Sequence, residues 1–238
     1  MTDDDIIAKS IAKAKKIKKQ LAKNMIDHLP EEESAVSVFM AGSPGAGKTE
    51  TGKSIISQFK QEHGVEVVHI ENDELRKEFE DYQGLNSSLF QRPATLLVEA
   101  IHDRALKKKV SFLLDSTLSS FEKAKSNIER SLSKGRYVLI IFVYQEPEQA
   151  WRLVQAREVV EGRRVPPEVF VEQFIESQCV VSKLKMLFKD KIDIIFMEKN
   201  IDGTKDQSYF DVADIDVLFD KKYNRATLEA ISGIDNHT

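Results

Sequence analysis

The residues best suited to chemistry are Gly42-Ser43-Pro44-Gly45-Ala46-Gly47-Lys48-Thr49. An apolar run from Val36 to Ala41 leads into G-x-x-x-x-G-K-T, and a helical pattern follows over 48–63. Strand, glycine-rich loop and helix in that order are the context of a phosphate-binding P-loop. Glycines let the backbone curl until successive N–H groups point inward, and the helix N-terminus behind them favours the same anion. Lys48 would reach the β- and γ-phosphates, and the Thr49 hydroxyl would ligate Mg²⁺. The expected nucleotide cradle is Gly42, Ser43, Pro44, Gly45, Ala46, Gly47, Lys48, Thr49 and Glu50. The bland alternative, a glycine-rich turn that binds nothing, leaves Lys48 without a task.

A second set of candidates falls at the ends of later apolar runs. Asp73, in Glu71-Asn72-Asp73-Glu74-Leu75-Arg76, could orient an acceptor hydroxyl and take its proton, or could simply cap the following helix. Arg76, one turn along, could hold the acceptor or pair with Asp73 or Asp81. Asp115 closes Val110–Asp115 in a Walker-B arrangement suited to Mg²⁺, and Thr117 could touch substrate or cap a helix. Arg157, Arg163 and Arg164 cluster around Gly162 and Pro166-Pro167. Their planar, permanently charged forks suit a phosphate-facing lid, and the alternative is a solvated salt-bridge cluster with Glu158, Glu161 and Glu168.

The elements that must position these groups alternate regularly. Strands are expected at 36–41, 65–71, 110–115, 137–144 and 192–197, with helices near 48–63, 73–80, 93–108, 119–134, 147–161 and 167–189. Continuous apolar strands alternating with helices imply an α/β fold of the P-loop NTPase kinase type: a parallel sheet of about five strands with helices on both faces. In such sheets ligands bind at the carboxyl ends of the strands, where the candidates lie. An N-terminal helix is expected over 5–27, with Ile7, Ile11, Ala14, Leu21 and Met25 as an apolar stripe and seven lysines from Lys9 to Lys23 on other faces. A basic helix of this kind can bind a membrane surface or an acidic partner, but the narrow stripe without aromatics favours packing on its own domain with a solvated lysine face. The expected division is an N-terminal extension (1–33), a kinase-type core (34–200) and a C-terminal segment (201–238) packed on the core.

Composition sets limits. With 238 residues and 41% hydrophobic content, the chain can bury one sizeable core. A net charge of −4 disfavours a general nucleic-acid binder. No apolar run approaches a membrane span, and Asp3-Asp4-Asp5 at the N-terminus does not resemble a signal peptide. The single cysteine, Cys179, sits in an apolar helical pattern that reads as core, and a chain without a disulfide fits the cytoplasm. The histidines, His28, His63, His69, His102 and His237, show no metal-ligand spacing.

From Val36 to Met197 these pieces resemble the zeta toxin family of P-loop kinases. The likeness rests on the P-loop, Asn72-Asp73-Glu74-Leu75-Arg76, Glu99-Ala100-Ile101, Asp115-Ser116-Thr117, Arg157-Glu158 and Gly162-Arg163-Arg164-Val165-Pro166. The resemblance implies transfer of phosphate from ATP or GTP, with Mg²⁺, to the sugar of UDP-N-acetylglucosamine. It implies a possible antitoxin partner, a small helical protein that blocks the nucleotide site. It also implies that Asp73 is the base, that Glu99 and Thr117 contact the sugar nucleotide, and that Arg157 and Arg163 stabilise the phosphate. Two departures stand out. Glu78-Phe79-Glu80-Asp81-Tyr82 replaces the family's frequent His-Pro, and Asp115-Ser116 replaces its frequent Glu-Gly. Kinases of other small hydroxyl substrates and nucleotide-dependent switches are the competing readings.

Overall fold

The computed structural model describes residues 2–199, 207–219 and 222–234. The expected boundary at 200/201 and His237 lie outside these residues. The chain runs α1 (Asp3–Ile26), β1 (Val36–Ala41), α2 (Lys48–His63), β2 (Val68–Glu71), α3 (Asn72–Arg76), α4 (Gln91–Lys108), β3 (Phe112–Asp115) and α5 (Phe121–Leu132). It continues through β4 (Tyr137–Gln145), α6 (Pro147–Glu161), α7 (Pro167–Phe188), β5 (Asp193–Lys199), β6 (Gln207–Tyr209) and α8 (Arg225–Ser232).

The strands form one sheet in the order β2-β3-β1-β4-β5-β6. All neighbours are parallel except β6, which pairs antiparallel with β5. Because β1 lies between β3 and β4, the chain leaves it to opposite sides, and a crevice opens at its carboxyl end. The strand period of two divides the core. Phe39, Ile70, Phe112, Leu114, Ile140, Phe142 and Phe196 face the larger layer, with most of the helices. Val38, Met40, Leu113, Ile141 and Val143 face the smaller layer, where Ile55, Ile56 and Phe59 of α2 pack.

Helix α1 begins with a capping box, Thr2 and Asp5 bonding each other's backbone N–H groups. Its buried Ser10, Ala14, Ala22 and Ile26 lie on one face, and the helix packs chiefly on α4. Arg104 of α4 grips Asp27 through two bonds of 2.6 Å. Lys9 and Lys13 reach Asp81 (2.8 Å) and Glu80 (3.2 Å) of the loop after α3. No helix among the described residues is long and apolar enough to cross a membrane.

Several sequence expectations need correction. The apolar run at 65–71 pairs only from Val68, because β3, its one neighbour among the described residues, begins opposite it at Phe112. The expected 73–80 helix stops at Arg76. Beyond it the backbone tightens, with Glu78 N–H bonding Leu75 and Phe79 N–H bonding Arg76, which turns Phe79 into the core against Phe90. The short β6 and helix α8 had no clear pattern in the sequence. Cys179 is exposed rather than core. The buried face of α7 repeats at Phe170, Phe174, Ser177, Val181 and Leu184, and Cys179 falls two residues from that stripe on either side.

Candidate active site

The loop after β1 is shaped by contacts no side chain would permit. A Cβ on Gly42 would stand 2.2 Å from the Val143 carbonyl oxygen, and one on Gly45 would stand 2.1 Å from that of Ala150. The loop is thereby pressed against the end of β4 and the start of α6. Its lysine curls back on it: Lys48 Nζ donates to the carbonyls of Gly42 (3.0 Å) and Ser43 (2.7 Å). Burial pushes the Lys48 ammonium down to about 8. Arg163 and Arg157 act in the same direction, while Asp115 and Asp73 oppose it.

Thr49, next in the chain, donates its hydroxyl to Asp115 Oδ2 at 2.9 Å, with Glu71 Oε1 at 3.4 Å. Glu71 and Asp115 are register partners on β2 and β3, so the parallel ladder itself brings the two carboxylates together. Burial and the charge of Asp115 raise the Glu71 carboxyl, whereas His69 lowers it. Burial also works to raise Asp115, but His69, Lys48 and Thr49 outweigh it and hold the carboxyl below its usual value. The hydroxyl and carboxylate oxygens here are the hard donors that Mg²⁺ prefers, and Glu71 Oε2 is buried without a hydrogen bond. The donor set therefore fits Mg²⁺ held by Thr49 and Asp115. The curled loop and its lysine fit a nucleotide phosphate.

Asp73 sits in the first turn of α3, behind the N-cap Glu71, so it does not cap the helix. Its two oxygens are divided between two arginines. Oδ1 meets Arg76 Nη1 at 3.1 Å, and Oδ2 meets Arg163. Arg76 is buried and also donates to Gln91. Burial lowers its guanidinium value, which Asp73 partly restores. Of the neighbouring arginines, Arg157 pairs with Glu161 (3.4 Å) and Arg164 with Glu158 (4.0 Å), as the salt-bridge alternative expected; Arg163 alone crosses to Asp73. Thr117 does not cap α5, whose N-cap is Ser120. Its carbonyl accepts the Gly42 N–H at 3.3 Å, and its hydroxyl lies 2.9 Å from that of Ser119. Glu50 and Glu99 are exposed, on α2 and α4.

Sequence reading missed two members of the site, His69 and Glu71. His69, Glu71 and Asp115 bring one ligand atom each within 4.8 Å of one another, a grouping that the spacing of the histidines in the sequence did not suggest. A signal existed: residues 69 and 71 alternate onto one face of a strand. The third donor lies 44 residues on, where only strand pairing reveals it.

The family profile described as zeta toxin matches residues 19–221. Among curated proteins no sequence matches this chain. Among solved structures, one from the PezAT chromosomal toxin-antitoxin system of the human pathogen Streptococcus pneumoniae is similar, with 16% identity and a TM-score of 0.65 over 94% of this chain and 95% of that one. AvrRxo1-ORF1:AvrRxo1-ORF2 with sulphate ions aligns at 15% identity and a TM-score of 0.60, over 90% of this chain and 70% of that one. AvrRxo1-ORF1:-ORF2 with ATP aligns at 14% identity and a TM-score of 0.59, over the same shares. At such identities the likeness is one of fold.

Proposed function

The chain belongs to the zeta toxin family, and from that membership and the geometry above we propose that it is an ATP-dependent phosphotransferase acting on a hydroxyl of a small molecule. The observation that carries this reading is Asp73. A carboxylate beside the P-loop, held between Arg76 and Arg163, is a poised base rather than a helix cap. A nucleotide switch needs no such group.

In this reading the Gly42–Thr49 backbone cradles the phosphates, and Lys48 exchanges its two loop carbonyls for phosphate oxygens. Thr49 and Asp115 would hold Mg²⁺, which when bound would neutralise phosphate charge. Arg163 and Arg157 move toward the transferring group, which frees Asp73 on one side. Asp73 takes the proton of the acceptor hydroxyl as the new O–P bond forms; the bond from the γ-phosphorus to its bridging oxygen breaks, and ADP leaves. Arg76, Glu99 and Thr117 are the proposed acceptor contacts. GTP is the alternative donor.

UDP-N-acetylglucosamine is the acceptor we favour, through the family. A second reading, another small hydroxyl substrate, is supported by the loop after α3, where Glu78–Tyr82 departs from the family's frequent His-Pro and Glu80 and Asp81 are bound to Lys13 and Lys9 of α1. A helical antitoxin is the proposed protein partner, a proposal supported by the family and by the toxin-antitoxin system that the similar structure represents. Mass spectrometry of an ATP–Mg²⁺ incubation with UDP-N-acetylglucosamine, comparing wild type with Asp73→Asn, tests the substrate. A phosphorylated sugar nucleotide from wild type alone supports it; no product with ATP binding intact rejects this acceptor.

A further inference from the structure

We infer that His69, Glu71 and Asp115 form a binding site for a first-row transition dication, Mn²⁺, Co²⁺ or Zn²⁺, that loads without nucleotide. His69 and Glu71 alternate onto one face of β2, and Asp115 is paired to Glu71 across the ladder, so two adjacent strand ends present three donors to one point. One ligand atom from each of the three lies within 4.8 Å of the others, and the imidazole bonds neither carboxylate. His69 Nε2 is 3.9 Å from Asp115 Oδ2, and His69 Nδ1 is 4.0 Å from Glu71 Oε2, both beyond hydrogen-bond length. Glu71 is only 7% exposed, and its Oε2 and the His69 Nε2 are buried with no hydrogen-bond partner among the described residues. Such atoms occur elsewhere too; here they belong to one converging three-donor set, and it is that convergence that calls for an occupant.

A dication ligated at 2.0–2.2 Å needs donors roughly 3.4 Å apart in tetrahedral geometry, so with one imidazole nitrogen as ligand a set spanning at most 4.8 Å would close by up to about 1.4 Å. The imidazole decides the chemical class. Mg²⁺ favours oxygen ligands, whereas a nitrogen beside two carboxylates suits the transition series. The site rests on the proposed function only in sharing Asp115 with the Mg²⁺ position assigned there. Its consequence is a metal preference: the protein would hold Mn²⁺ more tightly than Mg²⁺ before ATP arrives. The competing role for His69 is that of a spacer between two acids that binds no metal.

Titrating the full chain with Mn²⁺ in the absence of nucleotide, followed by pulsed electron paramagnetic resonance, separates the two. The site predicts bound Mn²⁺ with nitrogen hyperfine coupling. It predicts that His69→Ala abolishes the coupling and that His69→Ala and Glu71→Gln each weaken binding at least about tenfold. It also predicts that Mg²⁺ displaces Mn²⁺ only in excess. Absent binding, a signal without nitrogen coupling, or equal affinity in His69→Ala overturns it. Should a variant fail to fold by circular dichroism, wild type carrying ¹⁵N-histidine decides, because the coupling must change with the isotope. Nitrogen coupling without phosphate transfer would keep this site and overturn the kinase reading. Transfer with Mg²⁺ but no coupling would do the reverse.

Discussion

The two ends of the same sheet handle buried charge in opposite ways. At the amino end, Arg136 donates to the Ser37 hydroxyl (2.7 Å) and to the carbonyls of Val36 and Val110 (both 2.8 Å), joining β1 to the residues that lead into β3. Its guanidinium lies 5.1 Å from the Phe112 ring centroid. Nearby, Glu32 accepts from both the backbone N–H and the hydroxyl of Ser111. At the carboxyl end, charged groups bond to one another or to a single loop: two arginines share Asp73, two carboxylates share Thr49, and Lys48 fills its own loop. Unpaired atoms do not distinguish the ends, since Arg136 Nη1 and His102 Nε2 are also without a bond. What differs is exchangeability. Carbonyls fixed by a sheet cannot be traded, whereas side-chain partners and loop carbonyls can be exchanged for phosphate, metal and acceptor.

Substitutions at the two ends should therefore fail differently. The largest expected effect is on activity. Lys48→Ala should lower phosphate transfer by about 10²–10³-fold, measured by steady-state kinetics, with a melting temperature no lower than wild type because a buried charge is removed. The same lysine sets a pH limb. With its folded value near 8, ATP affinity measured by calorimetry should fall as pH rises above about 8, and Lys48→Ala should lose that slope. The stability sign is opposite: between about 8 and the ordinary lysine value the unfolded chain binds more protons, so this group makes stability rise with pH.

Arg136→Met should do the reverse of Lys48→Ala. Stranding two carbonyls and a hydroxyl costs about 3 kcal/mol, a fall of about 6–12 °C in melting temperature, with ATP affinity per folded molecule unchanged. Loss of ATP affinity in the folded fraction would break the comparison. His102 should act on the acid side. Burial, with Arg130 and Arg136, pushes its imidazole down to about 3, so the unfolded state binds more protons from about 6.5 downward and stability is lost as pH falls through that window. Its neighbours Phe39 and Phe112 are apolar, and His102→Leu should flatten the acid limb of the denaturation midpoint. The smallest effect belongs to Lys9→Ala. Its exposed bond to Asp81 is screened by solvent, and the midpoint of a denaturant melt should stay nearly unchanged.

The legibility of the two ends in the sequence was unequal too. The strand, loop and helix around Gly42–Thr49 could be read directly because the pattern is local: its glycines, lysine and threonine lie within eight consecutive residues. The alternation of apolar strands and helices placed the sheet for the same reason. The position of Asp73 was readable, and so was Arg76 as one of its candidate partners, but its second arginine was not: Arg163 lies ninety residues on, and its neighbours Arg157 and Arg164 took the local glutamates instead. His69 and Glu71 were hidden because their third partner is set by strand register. Arg136 showed no motif at all; its role exists only through carbonyls of residues far along the chain. Cys179 was misplaced because an apolar neighbourhood in sequence spans both faces of a helix.

The central claim, that the carboxyl end transfers phosphate through Asp73, is tested most directly by γ-labelled ATP incubated with Mg²⁺ and a small-metabolite extract. Wild type and Asp73→Asn would be compared at matched nucleotide occupancy. The account predicts label in a small molecule from wild type only, with both proteins binding ATP. Equal labelling by Asp73→Asn, or a wild type that binds no ATP, would contradict it.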